Sequence, residues 1–121
     1  MADEECIDVK LALKDFLRDN GLTLDDILSV MDEDKEGAIE ALRKRTLLSE
    51  HELEQLERKA TSRQLNTLLF VIQLFYLANP SGLYKNKPIY PCRDDVVRDG
   101  KITAESVKQI LKILGVHIDW S

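Results

Sequence analysis

The feature that most constrains the fold is an apolar segment between Leu65 and Tyr76, whose hydrophobic residues occupy nearly every face of a helix. Such a helix is stable in water only when other elements cover it on several sides. Thr61 is a favourable N-cap before the segment, and Asn79-Pro80 ends it. The most apolar stretch, Leu68–Ala78, is about half as long as a membrane span requires. The sequence therefore predicts a central, buried helix.

Helix start and stop signals divide the rest of the chain into five more helices. The strongest signal is the pair Ser49 and Glu52, a capping box in which each side chain accepts a hydrogen bond from the other residue's backbone. Thr23 and Thr103 are also favourable N-cap residues, and Gly115 is typical of a left-handed helix end. The predicted helices cover residues 7–20, 23–31, 35–45, 49–60, 61–79 and 103–114.

These elements predict an all-α fold, a compact six-helix bundle. A chain of 121 residues is the size of one domain, so we expect a single helical domain over 1–121. It divides into a five-helix part (1–79), a long loop (80–102) and the last helix with its tail (103–121). Prolines and glycines punctuate the loop, among them Pro80, Gly82 and Gly100, and Ile89-Tyr90 is expected as a short extended segment. The tail alternates apolar and polar residues as a strand does.

The charge distribution indicates the class of partner. The net charge is −5, with the acidic excess in residues 1–60 and a small basic excess in 61–121. This balance argues against direct binding to nucleic acid or anionic membranes, which need a positive footprint. It favours a protein partner or self-association through unlike faces. The acidic face is predicted at Asp25, Asp26, Asp32, Glu33, Asp34 and Glu36. The basic face is predicted at Arg43, Lys44, Arg45, Arg58, Lys59 and Arg63.

Metal sites are not predicted. Asp95–Ser106 has the length of a calcium loop, but Val97 and Ser106 stand where oxygen ligands are required, so an Asp-Gly turn before a Thr-capped helix is favoured. The soft ligands do not have zinc-finger spacing and fall in different elements. These are Cys6, His51, Cys92 and His117.

Catalytic and cofactor motifs are not recognised either. There is no G-x-S-x-G nucleophile elbow and no glycine-rich phosphate loop before a helix. The carboxylates occur in runs typical of a solvated face, rather than as a pair in a dry cleft. We therefore expect a non-enzymatic protein without a cofactor or small-molecule substrate.

The N-terminus and the cysteines bear on location. Residues 1–5 are acidic and no apolar signal region follows them. Two cysteines do not make the dense framework of small secreted domains. These observations predict an intracellular protein, cytoplasmic or nuclear.

Residues 9–72 carry a family resemblance in the stretches Leu13–Asn20 (LKDFLRDN), Ile39–Leu48 (IEALRKRTLL), Ser49–Ala60 (SEHELEQLERKA) and Arg63–Ile72 (RQLNTLLFVI). In this order they resemble the death-fold superfamily, the six-helix interaction modules of death effector and caspase-recruitment type. The sequence departs from the death effector pattern at Arg63-Gln64-Leu65, which lacks the aspartate of Arg-x-Asp-Leu. The resemblance implies an adaptor-like module.

Two functions follow as hypotheses. The first is a protein–protein interaction module that uses the opposed acidic and basic faces. The alternative is a small accessory or regulatory protein, viral or microbial, that modulates an enzyme or a nucleic-acid complex. Its contact would be loop 80–102, through Tyr84 and Tyr90, together with the C-terminal tail, because aromatic side chains are common interface anchors. These tyrosines would otherwise pin the loop to the bundle.

Overall fold

The computed structural model describes residues 6–79, 83–92 and 95–120, and this part of the chain is mostly helical. A π-helical segment, Gln73–Leu77, continues the fifth helix. Met1–Glu5, Pro80 and Gly82 lie outside the described residues. The helices are α1 (Val9–Asp19), α2 (Leu24–Val30), α3 (Lys35–Arg45), α4 (Glu50–Lys59), α5 (Ser62–Ile72) and α6 (Ala104–Ile113). The strands are β1 (Ile7–Asp8), β2 (Leu83–Tyr84), β3 (Lys87–Tyr90), β4 (Val97–Arg98) and β5 (Lys101–Ile102).

The helices begin where the capping residues predict. Ser49 and Glu52 form the expected capping box, with Ser49 N donating to Glu52 Oε1 over 2.8 Å and Glu52 N donating to Ser49 Oγ over 3.1 Å. Thr23 and Thr61 form equivalent boxes, and Thr103 accepts from the backbone of the first turn of α6. Each cap satisfies N–H groups that the helix itself leaves without partners.

Helix α5 is the central element, as its composition predicts. Leu65, Leu68 and Ile72 are fully buried, and Phe75 and Tyr76 continue the core into the π-helical segment. Helix α5 packs on α3, which in turn packs on α4, while Phe70 of α5 contacts Phe16 of α1 at 6.1 Å between ring centroids. The other helices thus cover α5 on several sides.

Helices α1 and α6 end in the same way. In α6, Gly115 N donates to Lys112 O and Val116 N donates to Leu111 O, which is the paired bonding of a Schellman motif. Gly115 has a φ of 85°, in the left-handed region where residues with a Cβ are disfavoured. Two Schellman ends fix the directions in which the chain leaves α1 and α6.

The expectation of an all-α fold with a long loop is corrected between residues 83 and 102. Two β-hairpins replace most of the loop, β2–β3 turning at Lys85-Asn86 and β4–β5 turning at Asp99-Gly100. All four turn residues have positive φ, between 53° and 77°, as type I′ hairpin turns require. Strand β3 also pairs in parallel with β1, which confirms an extended Ile89-Tyr90 and adds a third strand to that sheet.

The tail is not a strand. Residues 116–120 have no regular secondary structure, although Val116 is buried and Trp120 is half-buried against the core. The ammonium of Lys108 lies 5.0 Å from the centroid of the Trp120 ring and also pairs with Glu52 of α4. This cation therefore joins α6, α4 and the tail. In the described part of the chain, no helix is both long and apolar enough to cross a bilayer.

Candidate protein-interaction surfaces

The acidic corner, which we define as residues 30–36, connects α2 to α3 and is mostly exposed. Asp32, Glu33 and Glu36 are exposed, and within the described residues none of the carboxylates of the corner forms an ion pair. Asp34 is also exposed and caps α3 by accepting from Gly37 N over 2.7 Å. The corner therefore presents its negative charge to the solvent rather than to an internal cation.

Asn66 of α5 holds the acidic corner in place. It is buried, with 2% of its surface exposed, and its Nδ2 donates to Glu33 O over 3.0 Å and to Ser62 O over 2.8 Å. Its Oδ1 accepts from Glu33 N over 3.4 Å. This role of Asn66 was not predicted from the sequence, although an amide directly after Leu65 and before Leu68 and Leu69 on the central helix was the available signal.

Asp25 and Arg63, predicted on opposite faces, lie side by side. Arg63 Nη1 is 2.8 Å from Asp25 Oδ1, and both side chains are largely exposed. Asp26 is also exposed, and its Oδ2 accepts from Thr23 N over 2.9 Å in the capping box of α2. The acidic and basic sets therefore meet between α2 and α5, and Arg63 does not belong to an opposed basic face.

Most of the predicted basic face is engaged within the chain. Arg43 pairs with Glu40 and binds both oxygens of Glu50, at 2.8 and 2.9 Å. The hydrogen bonds from Arg43 lower the pKa of the Glu50 carboxyl, and those from Glu50 raise the pKa of the Arg43 guanidinium. Arg45 donates to Gln73 and Lys59 to the carbonyl of Asp119. Lys44 and Arg58 are left exposed and without an ion pair in the described part.

Tyr84 is packed against the helices rather than presented to a partner. Its ring meets Phe75 edge to face at 5.7 Å, and its hydroxyl lies 3.5 Å from Asp19 Oδ2. Burial, together with the neighbouring carboxylates Asp19 and Asp15, raises the pKa of the Tyr84 phenol above its usual value. Lys85 pairs with Asp19 at 2.7 Å and closes this contact. The geometry favours the reading in which Tyr84 pins the hairpin to the bundle.

Tyr90 differs from Tyr84, because 45% of its surface is exposed. Its carbonyl accepts a hydrogen bond from the buried Tyr76 hydroxyl over 3.1 Å, so the backbone is held while the ring faces outward. Tyr90 borders an open hollow of about 760 Å³ that is also lined by Arg98 and by Thr103, the N-cap of α6. Tyr90 is thus available to a partner.

A groove that sequence analysis missed lies between α1, the start of α2, the start of α5 and the chain after α6. We call it the α1–α5 groove, and its volume is about 350 Å³. Its cations are Lys10, Lys14 and Arg63, and the residues that line it include no carboxylate. Its apolar residues are Leu13, Leu17, Leu24, Leu114 and Val116. The i, i+4 spacing of Lys10 and Lys14 beside the apolar stripe of α1 was the available signal.

Two of the candidate soft ligands, Cys6 and Cys92, are bonded to each other. They form a disulfide with a Cα–Cα distance of 6.1 Å, within the ordinary range. Within residues 6–79, 83–92 and 95–120, no group of three or more His, Cys, Asp or Glu side chains is placed to hold a metal ion. The Asp-Gly turn before the Thr103 cap, favoured over a calcium loop, is present. Disulfides persist mainly in oxidising compartments, whereas the cytoplasm and the nucleus are reducing. The disulfide is therefore evidence against the intracellular location predicted from the sequence.

Comparison with known proteins adds no relative: no protein-family model, curated protein or solved structure matches the chain.

Proposed function

We propose that the chain is a non-enzymatic protein–protein interaction module, adaptor-like, that associates through its acidic corner. The observation that carries the proposal is the exposure of Asp32, Glu33 and Glu36 on a corner that Asn66 fixes to the central helix. A rigid array of unpaired charge attracts a surface of opposite sign and suppresses unsuitable partners. The helices pre-form this array, so binding costs little ordering of the backbone.

The family resemblance of residues 9–72 supports the same proposal. Death-fold modules are six-helix interaction modules, and an adaptor of this kind acts by contact rather than by chemistry. Within the predicted basic face, Lys44 and Arg58 remain exposed and carry no ion pair with a described residue. The partner is another protein or a second copy of the chain.

Charge reversal on the acidic corner tests the proposal. Asp32→Lys reverses an exposed charge on the corner, and Glu54→Lys reverses an exposed charge on α4 as a matched control. Light scattering coupled to size-exclusion chromatography gives the mass of each across a concentration series. We expect Asp32→Lys to reduce association and Glu54→Lys to leave it close to that of the unaltered chain. Equal behaviour of the two variants would contradict a role for the corner.

The exposed ring of Tyr90 favours a second candidate, an accessory protein that binds its target through the β2–β3 region and the tail. In that case Tyr90→Ala would reduce association with the target. Its thermal midpoint would stay within about 2 °C of that of the unaltered chain, since an exposed side chain contributes little to folding. Tyr84→Ala is the comparison. Because Tyr84 packs on Phe75, we expect Tyr84→Ala to lower the thermal midpoint more than Tyr90→Ala does. If Tyr90→Ala leaves association unchanged, this candidate is rejected.

A further inference from the structure

The α1–α5 groove combines apolar residues with positive charge, so it is complementary to an acidic surface that carries an exposed apolar residue. Its floor is apolar, its rim carries Lys10 and Lys14 on α1 and Arg63 on α5, and no carboxylate lines it. Lys10 and Lys14 are exposed and form no ion pair with any described residue. They lie one helical turn apart, about 6 Å along α1. If a partner surface has an apolar centre with negative charges beside it, the centre would pack on the apolar floor. The negative charges would lie opposite the lysines, so no like charges would meet.

The acidic corner of the same chain has this complementary form. Val30, at its start, is 86% exposed, the highest exposure among the large apolar side chains that the structure describes. Asp32, Glu33 and Asp34 follow it directly. A valine so exposed has no packing role within its own molecule. The corner is held by Asn66 and by the Asp34 cap, so its apolar tip and its charges keep a fixed relative position.

We propose that the α1–α5 groove binds the acidic corner of a second copy of this chain, with Val30 against the groove floor and the carboxylates opposite Lys10 and Lys14. The inference rests on the proposed function. It assigns the groove, and not the predicted basic face around Lys44, as the cationic surface that the acidic corner contacts. Arg63 contributes less than the lysines, because it is already paired with Asp25 of its own molecule.

The contact joins two different surfaces, so it is heterologous. Every copy carries one groove and one corner, and one contact leaves a groove on one copy and a corner on the other unoccupied. Such contacts continue into larger species unless a rotation closes them into a ring. Blocking either surface of every molecule therefore stops association, whereas blocking different surfaces on two molecules leaves one intact contact between them.

Matched lysine variants of the full chain test the proposal by sedimentation velocity at low salt. Lys14→Glu changes the groove rim, and Lys44→Glu makes the same charge change at an exposed site on α3 outside the groove. We expect Lys14→Glu to weaken association by about tenfold or more and Lys44→Glu to change it by less than about twofold, as rim charges do when they oppose a partner's charge. Val30→Ser tests the apolar tip and should also weaken association. Circular dichroism confirms that each variant is folded.

A mixing experiment identifies the two surfaces as partners. At a concentration at which the unaltered chain is associated, Lys14→Glu and Asp32→Lys should each be mostly monomeric alone. An equimolar mixture should form a one-to-one pair through the intact groove of one and the intact corner of the other. If Asp32→Lys weakens association and Lys44→Glu does so while Lys14→Glu does not, the groove is the wrong partner but the proposed function stands. A chain that is monomeric at every concentration contradicts a second copy as the occupant of the groove.

Discussion

Replacement of Asn66 by leucine isolates what holds the acidic corner to the central helix. The substitution keeps the number of side-chain heavy atoms and removes three hydrogen bonds, two to the backbone of Glu33 and one to Ser62 O. A typical intramolecular hydrogen bond contributes about 0.5–1.5 kcal/mol net, so the loss of three should lower the free energy of unfolding by about 1.5–4.5 kcal/mol. Because Glu33 lies at the surface, water can replace part of the loss, which favours the lower half of that range.

Two measurements check this prediction. Urea unfolding followed by circular dichroism should show a midpoint lower by about 1 M, given slopes of about 1–3 kcal/mol per molar for small proteins. Amide hydrogen exchange should show local loosening, with the Glu33 amide exchanging roughly tenfold to a hundredfold faster, since each 1.4 kcal/mol is about tenfold. The exchange rates of amides in α4 should change only as far as the global free energy of unfolding changes.

Gln55→Met provides a control of opposite expectation. Gln55 is also a buried amide, but its Oε1 has no hydrogen-bond partner among the described residues, and its Nε2 lies 3.4 Å from His51 Nε2. Removing an unsatisfied buried polar atom is neutral or stabilising. The reasoning is refuted if Asn66→Leu leaves both the midpoint and the exchange of Glu33 unchanged, or if Gln55→Met is the more damaging of the two.

Three further predictions concern the scaffold. Opening the Cys6–Cys92 disulfide, which spans 86 residues, should cost about 2–5 kcal/mol, measured as the difference in urea midpoint between oxidised and reduced protein; thiol titration that finds two free thiols in the unreduced, unfolded chain would contradict the pairing. Gly115→Ala should cost about 1–2 kcal/mol, because alanine must adopt a left-handed conformation, and an unchanged thermal midpoint would count against this. Desolvation raises the pKa of Glu52, but bonds from Lys108 and Ser49 outweigh it, so the folded pKa lies below 4.5. The stability this provides is present above that pH and is lost as pH falls through the folded value, so the acid-induced drop in urea midpoint should shrink in Glu52→Gln.

The helices were predictable because their signals are local. A cap such as Ser49 with Glu52 satisfies backbone groups within one turn, so a few consecutive residues determine where the helix begins. The central position of α5 followed from its composition, since its apolar faces need several neighbours. These conclusions need no knowledge of which helices pack together.

The hairpins were missed for two different reasons. Asp99-Gly100 is a strong type I′ signal, but the flanking strands have only two residues each, too few to show an alternating pattern. Lys85-Asn86 is a weak signal, because lysine rarely takes a positive φ. The disulfide joins residues far apart in sequence, so neither it nor the sheet between β1 and β3 could be read from spacing.

The candidate surfaces divide in the same way. Exposure of Asp32, Glu33 and Glu36 was expected from the sequence, because a run of carboxylates avoids burial. The pairing of Asp25 with Arg63 and the hold of Asn66 on Glu33 depend on how α2 and α5 pack. The groove likewise needs four segments to meet, and only the one-turn spacing of Lys10 and Lys14 on α1 was visible beforehand.

The most direct test of the central claim is sedimentation velocity of the unaltered chain over a concentration series in about 50 mM and about 500 mM salt. The Debye length is about 10 Å at 0.1 M salt and about 3 Å at 1 M. The attraction between exposed charges therefore weakens as the salt concentration rises. The account predicts concentration-dependent association at low salt that weakens strongly at high salt. A monomer under all conditions, or association that salt does not change, would contradict self-association through complementary charge.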